Sequence, residues 1–260
     1  MVFSLIIFKF TNMASISEKG HAKNVANFED LIAFCKGYGT IYNPSKTSIL
    51  LSSLELKRTQ ALDSLKSVNT FIPPWSNAYI ARQNVFNPLS KLVTRIYNAV
   101  VASDVAPQVI AEVKTITRKL QGKRATPISK TENQSTENPV EESAKIISAS
   151  QQGTDDKIAF FDKLIEVLKA QPGYAPNEPD LTITKLIDLH SSMISTNSAV
   201  INAYVPLSNA RADRDKILYE PTTGLVKVAS EVKAYVKSVF GATSAEFKQV
   251  RALEFTNIKK

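Results

Sequence analysis

A motif returns in this chain at a fixed distance. Pro74-Trp75-Ser76-Asn77-Ala78 followed by Arg82 is matched by Pro206-Leu207-Ser208-Asn209-Ala210 followed by Arg214, an offset of 132 residues. The same offset pairs Tyr42 with Tyr174, Pro44 with Pro176, Leu54 with Leu186 and Val68 with Val200. A slip of one residue pairs Phe28-Glu29 with Phe161-Asp162, Leu31-Ile32 with Leu164-Ile165, Pro88 with Pro221 and Leu92-Val93 with Leu225-Val226. A spacing this long reads as a duplicated domain rather than a solenoid unit, because about 100 residues can close a core of their own.

Each half carries the same helical rhythm. Asn27 is placed to cap a first helix whose apolar face holds Phe28, Leu31, Ile32 and Cys35 before Gly37 stops it; Phe161, Leu164, Ile165 and Leu168 repeat that face before Pro172-Gly173. A second helix runs from about Ile49 to Val68, and its counterpart places Ile183, Leu186, Ile187, Met193, Ile194, Val200, Ile201 and Tyr204 at three-four spacing. Pro74 and Pro206 read as breaks that start a third helix, which Pro88 and Pro221 should kink or split. A fourth helix follows, with Val109, Val113, Ile116 and Leu120 in one half and Phe247, Val250 and Ile258 in the other, where Thr243 and Glu246 suit a capping box. Strand alternation is absent. The expectation is an all-α chain of two tandem, duplicated antiparallel four-helix bundles: a leader at 1–23, a basic first bundle at 24–124, a flexible linker at 125–155 and a second bundle at 156–260.

Charge is uneven along the chain, whose net charge is +8. Residues 21–124 hold fourteen Lys/Arg against six Asp/Glu, and residues 157–260 hold fourteen against eleven. Diverged copies of this kind suggest that only the first faces an anionic partner. A single cysteine, Cys35, excludes an intramolecular disulfide; its place on the apolar stripe reads as a buried thiol. The apolar run from Met1 to Phe10 is too short to span a membrane and lacks secretory features, so Met13 is the expected initiator and the cytoplasm the expected compartment.

Motifs for metal, phosphate or nucleophilic chemistry are missing: there is no His-Glu-x-x-His, Cys-x-x-Cys, Walker loop or Gly-x-Ser-x-Gly elbow, and His21 and His190 are the only histidines. His21 lies in a polar leader and reads as solvated. Asp213 and Asp215 beside Arg214 read as a charged helix surface. Three polar residues interrupt apolar stripes: His190 and Asn197 on the second helix of the later half, and Arg58 at the position matching His190. These read as partner- or register-fixing groups. Asn77, Arg82, Asn209 and Arg214 recur at matched cap positions: Ser76-Asn77 and Ser208-Asn209 read as caps of the third helix after its proline, with the arginine one turn along bonding to nearby carbonyls or carboxylates. Lys114, Arg118, Lys119, Lys123 and Arg124 cluster at the end of the first half, where cations complement a helix C-terminus and also offer a candidate surface for an anionic partner.

The phrases Asn27-Phe28-Glu29-Asp30-Leu31, Tyr42-Asn43-Pro44-Ser45, Asn87-Pro88-Leu89-Ser90-Lys91-Leu92-Val93 and Arg118-Lys119-Leu120-Gln121-Gly122-Lys123-Arg124 resemble a group of uncharacterised helical proteins from Bacteroidetes-type bacteria. The resemblance covers chiefly the first half and implies a bacterial helical protein, with no activity or site residue attached. Taken together, the sequence favours a non-enzymatic scaffold or adaptor without cofactors, partnered by itself or another protein. A nucleic-acid or ribosome binder acting through the basic half is the alternative, and a membrane-interacting helical protein a further one.

Overall fold

The computed structural model describes residues 19–123 and 153–258, and these form eight α-helices linked by turns and short 3-10 segments, with no strand among the described residues. The expectations for the start site, the leader up to residue 18, the core of the linker and Arg124 lie outside the described residues. The helices are α1 (Lys19–Gly37), α2 (Leu51–Phe86), α3 (Leu89–Val101), α4 (Pro107–Leu120), α5 (Thr154–Lys169), α6 (Ile183–Tyr219), α7 (Leu225–Phe240) and α8 (Ala245–Ala252).

Local signals place most of these ends. Gly37 closes α1, Pro107 occupies the first turn of α4, and the last turn of α4 carries Arg118 and Lys119 before Gly122 turns the chain at φ 69°. The cap of α8 falls on Ser244, one residue beyond the expected Thr243; its hydroxyl accepts from the Phe247 amide at 3.0 Å. α1 begins well before Asn27, which sits mid-helix and donates instead to the Glu254 carbonyl at 2.6 Å. α8 stops at Ala252, so Ile258 lies in a non-helical segment.

The prolines split the helices where Pro88 and Pro221 were expected to, and do not break them at Pro74 and Pro206. Pro73, Pro74 and Pro206 lie inside α2 and α6, which run 36 and 37 residues. Pro88 and Pro221 are the true breaks: Asn87 and Pro88 separate α2 from α3, and residues 220–224 separate α6 from α7. Gly224 is required in that second turn, because a Cβ there would overlap the Glu220 backbone. The second turn is three residues longer, and it shifts the helix register that follows. Leu89, Val93, Ile96 and Val100 of α3 are buried, and so are Leu225, Ala229, Val232 and Val236 of α7. The expected match of Leu92-Val93 with Leu225-Val226 therefore moves to Leu89 with Leu225.

Because α2 and α6 continue through their prolines, the compact units do not follow the two halves expected from the sequence. One unit takes the described residues up to Pro73 together with those from Val205; the other runs from Pro74 to Tyr204. In the first, Phe28, Leu31, Ile32 and Cys35 of α1 pack in one core with Leu225, Val228, Val232 and Val236 of α7 and Val250 of α8. In the second, Val93 and Ile96 of α3 and Val113 and Ile116 of α4 pack with Phe161, Leu164 and Leu168 of α5 and with Leu186 and Met193 of α6. Every core thus draws one wall from each half of the sequence. Within each unit a tyrosine locks the connector: Tyr42 donates to the Ile49 carbonyl at 2.7 Å and Tyr174 to the Leu181 carbonyl at 2.9 Å.

This division predicts the behaviour of fragments. Residues 1–124 and 153–260, expressed apart, are each expected to lack a cooperative melt as monomers. Mixed at equal concentration they should regain the helical circular dichroism and single transition of the intact chain. Cooperative monomeric folding of either fragment alone would show that a half closes its own core.

Candidate functional site

Polar residues that interrupt the apolar faces make two kinds of link. The first joins the long helix to the helix before it. Arg58 of α2 is ion-paired with Glu29 of α1, and at the matching positions His190 of α6 sets Nδ1 3.7 Å from the Asp162 carboxylate of α5. The same place is thus held by Arg–Glu in one unit and His–Asp in the other. His190 also lies against the Phe161 ring at 6.4 Å, and its buried Nε2 and the buried Nε of Arg58 have no hydrogen-bond partner. Both groups are half-buried.

The second link centres on the recurrent arginines. In the unit from Pro74 to Tyr204, Arg82 of α2 donates to Asn197 Oδ1 of α6 at 3.0 Å, and Asn197 Nδ2 donates to Asp155 in the first turn of α5 at 2.7 Å. Tyr79 lies under the guanidinium at 5.4 Å, with Trp75 next along the helix at 5.9 Å. Asn197 is only 7% exposed, so its amide is satisfied from both ends. In the other unit Arg214 is 0% exposed and donates from Nε and Nη2 to Asp215 at 2.9 and 2.7 Å. This overturns two expectations. Arg214 with Asp215 is not a solvated surface, although Asp213 is exposed. Asn77 and Asn209 are exposed inside continuous helices, so they are not caps, while Arg214 bonds a neighbouring carboxylate and Arg82 a side-chain amide.

His21 is also not solvated: it is 4% exposed, with Nδ1 2.7 Å from the Tyr219 hydroxyl. Beside it, buried Asn24 grips the backbone of the segment after α8. It donates to the Thr256 carbonyl at 2.8 Å and accepts from the Thr256 amide at 3.0 Å. Lys233 adds a bond to the Leu253 carbonyl and covers the Phe255 ring at 5.0 Å. Nothing in the sequence pattern marked this segment, because a side-chain amide reading backbone leaves no periodic trace.

Of the basic cluster, Lys114, Lys119 and Lys123 are exposed and Arg118 is half-buried. Lys119 lies over the Phe160 ring at 4.9 Å. The unit to which they belong is less basic than the first half of the sequence suggested. Residues 74–123 carry seven Lys/Arg against two Asp/Glu, while residues 153–204, in the same unit, carry four against seven. The two walls are ion-paired in both senses, Arg95 of the basic one with Asp180 and Glu112 of the basic one with Lys163 at 3.0 Å.

A shallow polar depression lies between α3 and the connector after α5, lined by Arg95, Asn98, Ser103, Asn177 and Glu178, but Arg95 is held there by Asp180. Among the described residues no three His, Cys, Asp or Glu side chains are placed to hold a metal ion, and no helix is long and apolar enough to cross a membrane. Cys35 is fully buried, and burial pushes its thiol up to about 12 against a smaller lowering by its hydrogen bond with Tyr42. No protein-family model, curated protein or solved structure matches the chain.

Two measurements test these assignments. Asn197→Ala, which leaves Arg82 and Asp155 without their bridge, is expected to lower unfolding free energy by about 1–3 kcal/mol in urea titrations. Asn77→Ala and Asn209→Ala should stay within about 0.5 kcal/mol of the parent, as exposed mid-helix positions do; a loss of about 1 kcal/mol would restore the capping assignment. The second concerns pH. The unfolded chain releases the Cys35 proton near its ordinary value of 9.0, and the folded chain holds it to about 12, so stability is constant below the first and falls as pH rises between the two. Cys35→Ala should lessen that fall, leaving the part that belongs to Tyr38 and Tyr174, each pushed up to about 12 chiefly by burial, and to Tyr42, raised further by the same cause. An unchanged slope would refute the assignment.

Proposed function

We propose that this protein is a non-enzymatic adaptor, a duplicated helical module whose two units bind other proteins through their outer faces. The observation that carries the reading is where the polar chemistry sits. Arg58, His190, Arg82 and Asn197 are engaged within a unit, bridging helices around its core, Arg214 is buried against Asp215 of its own helix, and none converges on a concave pocket. Side chains matched between the halves agree at core positions such as Phe28 and Phe161 or Tyr42 and Tyr174, and differ at outer positions such as Glu55 and Ile187. Two similar frames with different surfaces suit a chain that bridges two partners.

Affinity purification of the intact chain from its native cell, with parallel nuclease treatment, tests this reading. The expected result is one or more proteins captured at stoichiometric level, unaffected by nuclease, and lost when charge-reversing substitutions are placed on the outer faces. Capture of nucleic acid alone, proteins that vanish with nuclease, or no captured protein would overturn it.

A further inference from the structure

The most unusual surface of the molecule is one face of α6. Ile187, Ile194 and Ile201 are 39%, 45% and 53% exposed, seven residues apart, and therefore stand in one row along the helix. Ser191 and Ser198 fill the same row between them and are also exposed. All five lie in the unit from Pro74 to Tyr204. From Leu189 to Ala210 the chain holds no Asp, Glu, Lys or Arg, and at the start of the row Lys185 and Asp188 neutralise each other at 3.0 Å.

Helix formation does not require this row. At the matching positions of α2, 132 residues earlier, stand Glu55, Thr59, Leu62, Lys66 and Asn69, and Glu55 is ion-paired with Lys36 at 2.7 Å. That face makes an ordinary solvated surface. The α6 face has isoleucine where α2 has Glu55 and Asn69, and serine where α2 has Lys66. Its neighbouring hydroxyls are already satisfied by the helix: Ser192 bonds to the Asp188 carbonyl at 2.9 Å, Ser195 to the Ser192 carbonyl at 3.1 Å, and Thr196 to the same carbonyl at 2.7 Å. Covering those three strands no donor.

We infer that this face is a self-association surface, on which α6 of a second copy packs antiparallel. The inference rests on the adaptor reading and adds to it a partner and a surface. The row is self-complementary in shape. With a two-fold axis passing between Ile194 and Ser198, Ile194 stands over Ser198 of the second copy and Ile201 over its Ser191, and the reverse contacts follow by symmetry. Large side chains then seat over small ones at the four central contacts, and Ile187 at each end of the row meets Val205 of the second copy. Charge favours the same occupant. Two chains of net charge +8 repel each other, and a face with no charge adds nothing to that repulsion; an acidic or nucleic-acid partner would find no cation here to pair with. The contact is about four helical turns long, less than the ~800 Å² per partner of a tight complex, so the dimer is a weak one.

Sedimentation of the full chain between about 5 and about 500 µM reads the outcome. The weight-average mass is expected to climb from 28.6 kDa toward twice that value, and to do so more readily as salt screens the net charge. Ile194→Asp should weaken association at least tenfold while leaving the thermal melt unchanged, as its exposure allows. Glu55→Gln, on the matching face of α2, should leave association unaltered. Register is read by oxidative crosslinking: a mixture of Ile194→Cys and Ser198→Cys chains should couple several-fold faster than either alone, Cys35 being buried. A chain monomeric throughout, association undiminished by Ile194→Asp, or uptake onto neutral lipid vesicles in place of self-association would each overturn the inference. A monomer that still captures other proteins defeats this inference alone, and a dimer that captures none defeats the adaptor reading alone.

Discussion

Continuity of the helix across Pro74 and Pro206 is the constraint on which the rest depends. A proline inside a helix removes one backbone bond and crowds the preceding turn, at a cost of about 3 kcal/mol. In α6 the residue after it, Leu207, is fully buried, and Ala210 and Arg214 follow on the same face. Burial of a leucine contributes roughly 1.5–3 kcal/mol, enough with its neighbours to offset the proline and keep the helix whole. Once the helix runs on, α3 and α4 do not fold back on α1. The wall that α1 lacks is supplied by α7 and α8, and the wall that α5 lacks by α3 and α4.

Much of this was legible in the sequence, and the limit of legibility has a physical cause. Three-four spacing names the buried face of a helix without naming what covers it. Phe28, Leu31, Ile32 and Cys35 are buried as their spacing requires, as are Phe161, Leu164, Ile165 and Leu168. The covering helices were assigned to the wrong half because the two halves share one pattern, so that either could complete either core. The proline rule failed at Pro74 and held at Pro88, where α2 does end. The slip in register at Leu225 came from a turn of five residues where the other has two, a difference that motif alignment hides beneath the matched prolines.

The candidate polar positions follow the same logic. Arg58, His190 and Asn197 stood out because each broke an apolar stripe, and each is found half-buried or buried with a partner on another helix. Their partners were not readable, since Glu29 and Asp162 have the look of ordinary surface residues in sequence and Arg82, marked by its recurrence, read as part of a helix cap. Arg214 was misplaced for the opposite reason: flanked by Asp213 and Asp215 it resembled a solvated face, while the helix turns it inward and leaves Asp213 outside. Burying a guanidinium is costly unless it is paired, and Asp215 supplies two of its bonds.

The composition of the cores also changes what charge along the sequence means. Counted by halves, the chain looks like a basic domain followed by a nearly neutral one, and a basic domain invites an anionic partner. Counted by compact units, the basic stretch from residue 74 to 123 is paired with the acidic stretch from 153 to 204, and each offsets the other inside one unit. A surface argument drawn from a contiguous stretch of sequence is valid only when that stretch folds with itself. Here it does not, and the surface that distinguishes one half from the other lies elsewhere, on a helix face marked by the absence of charge.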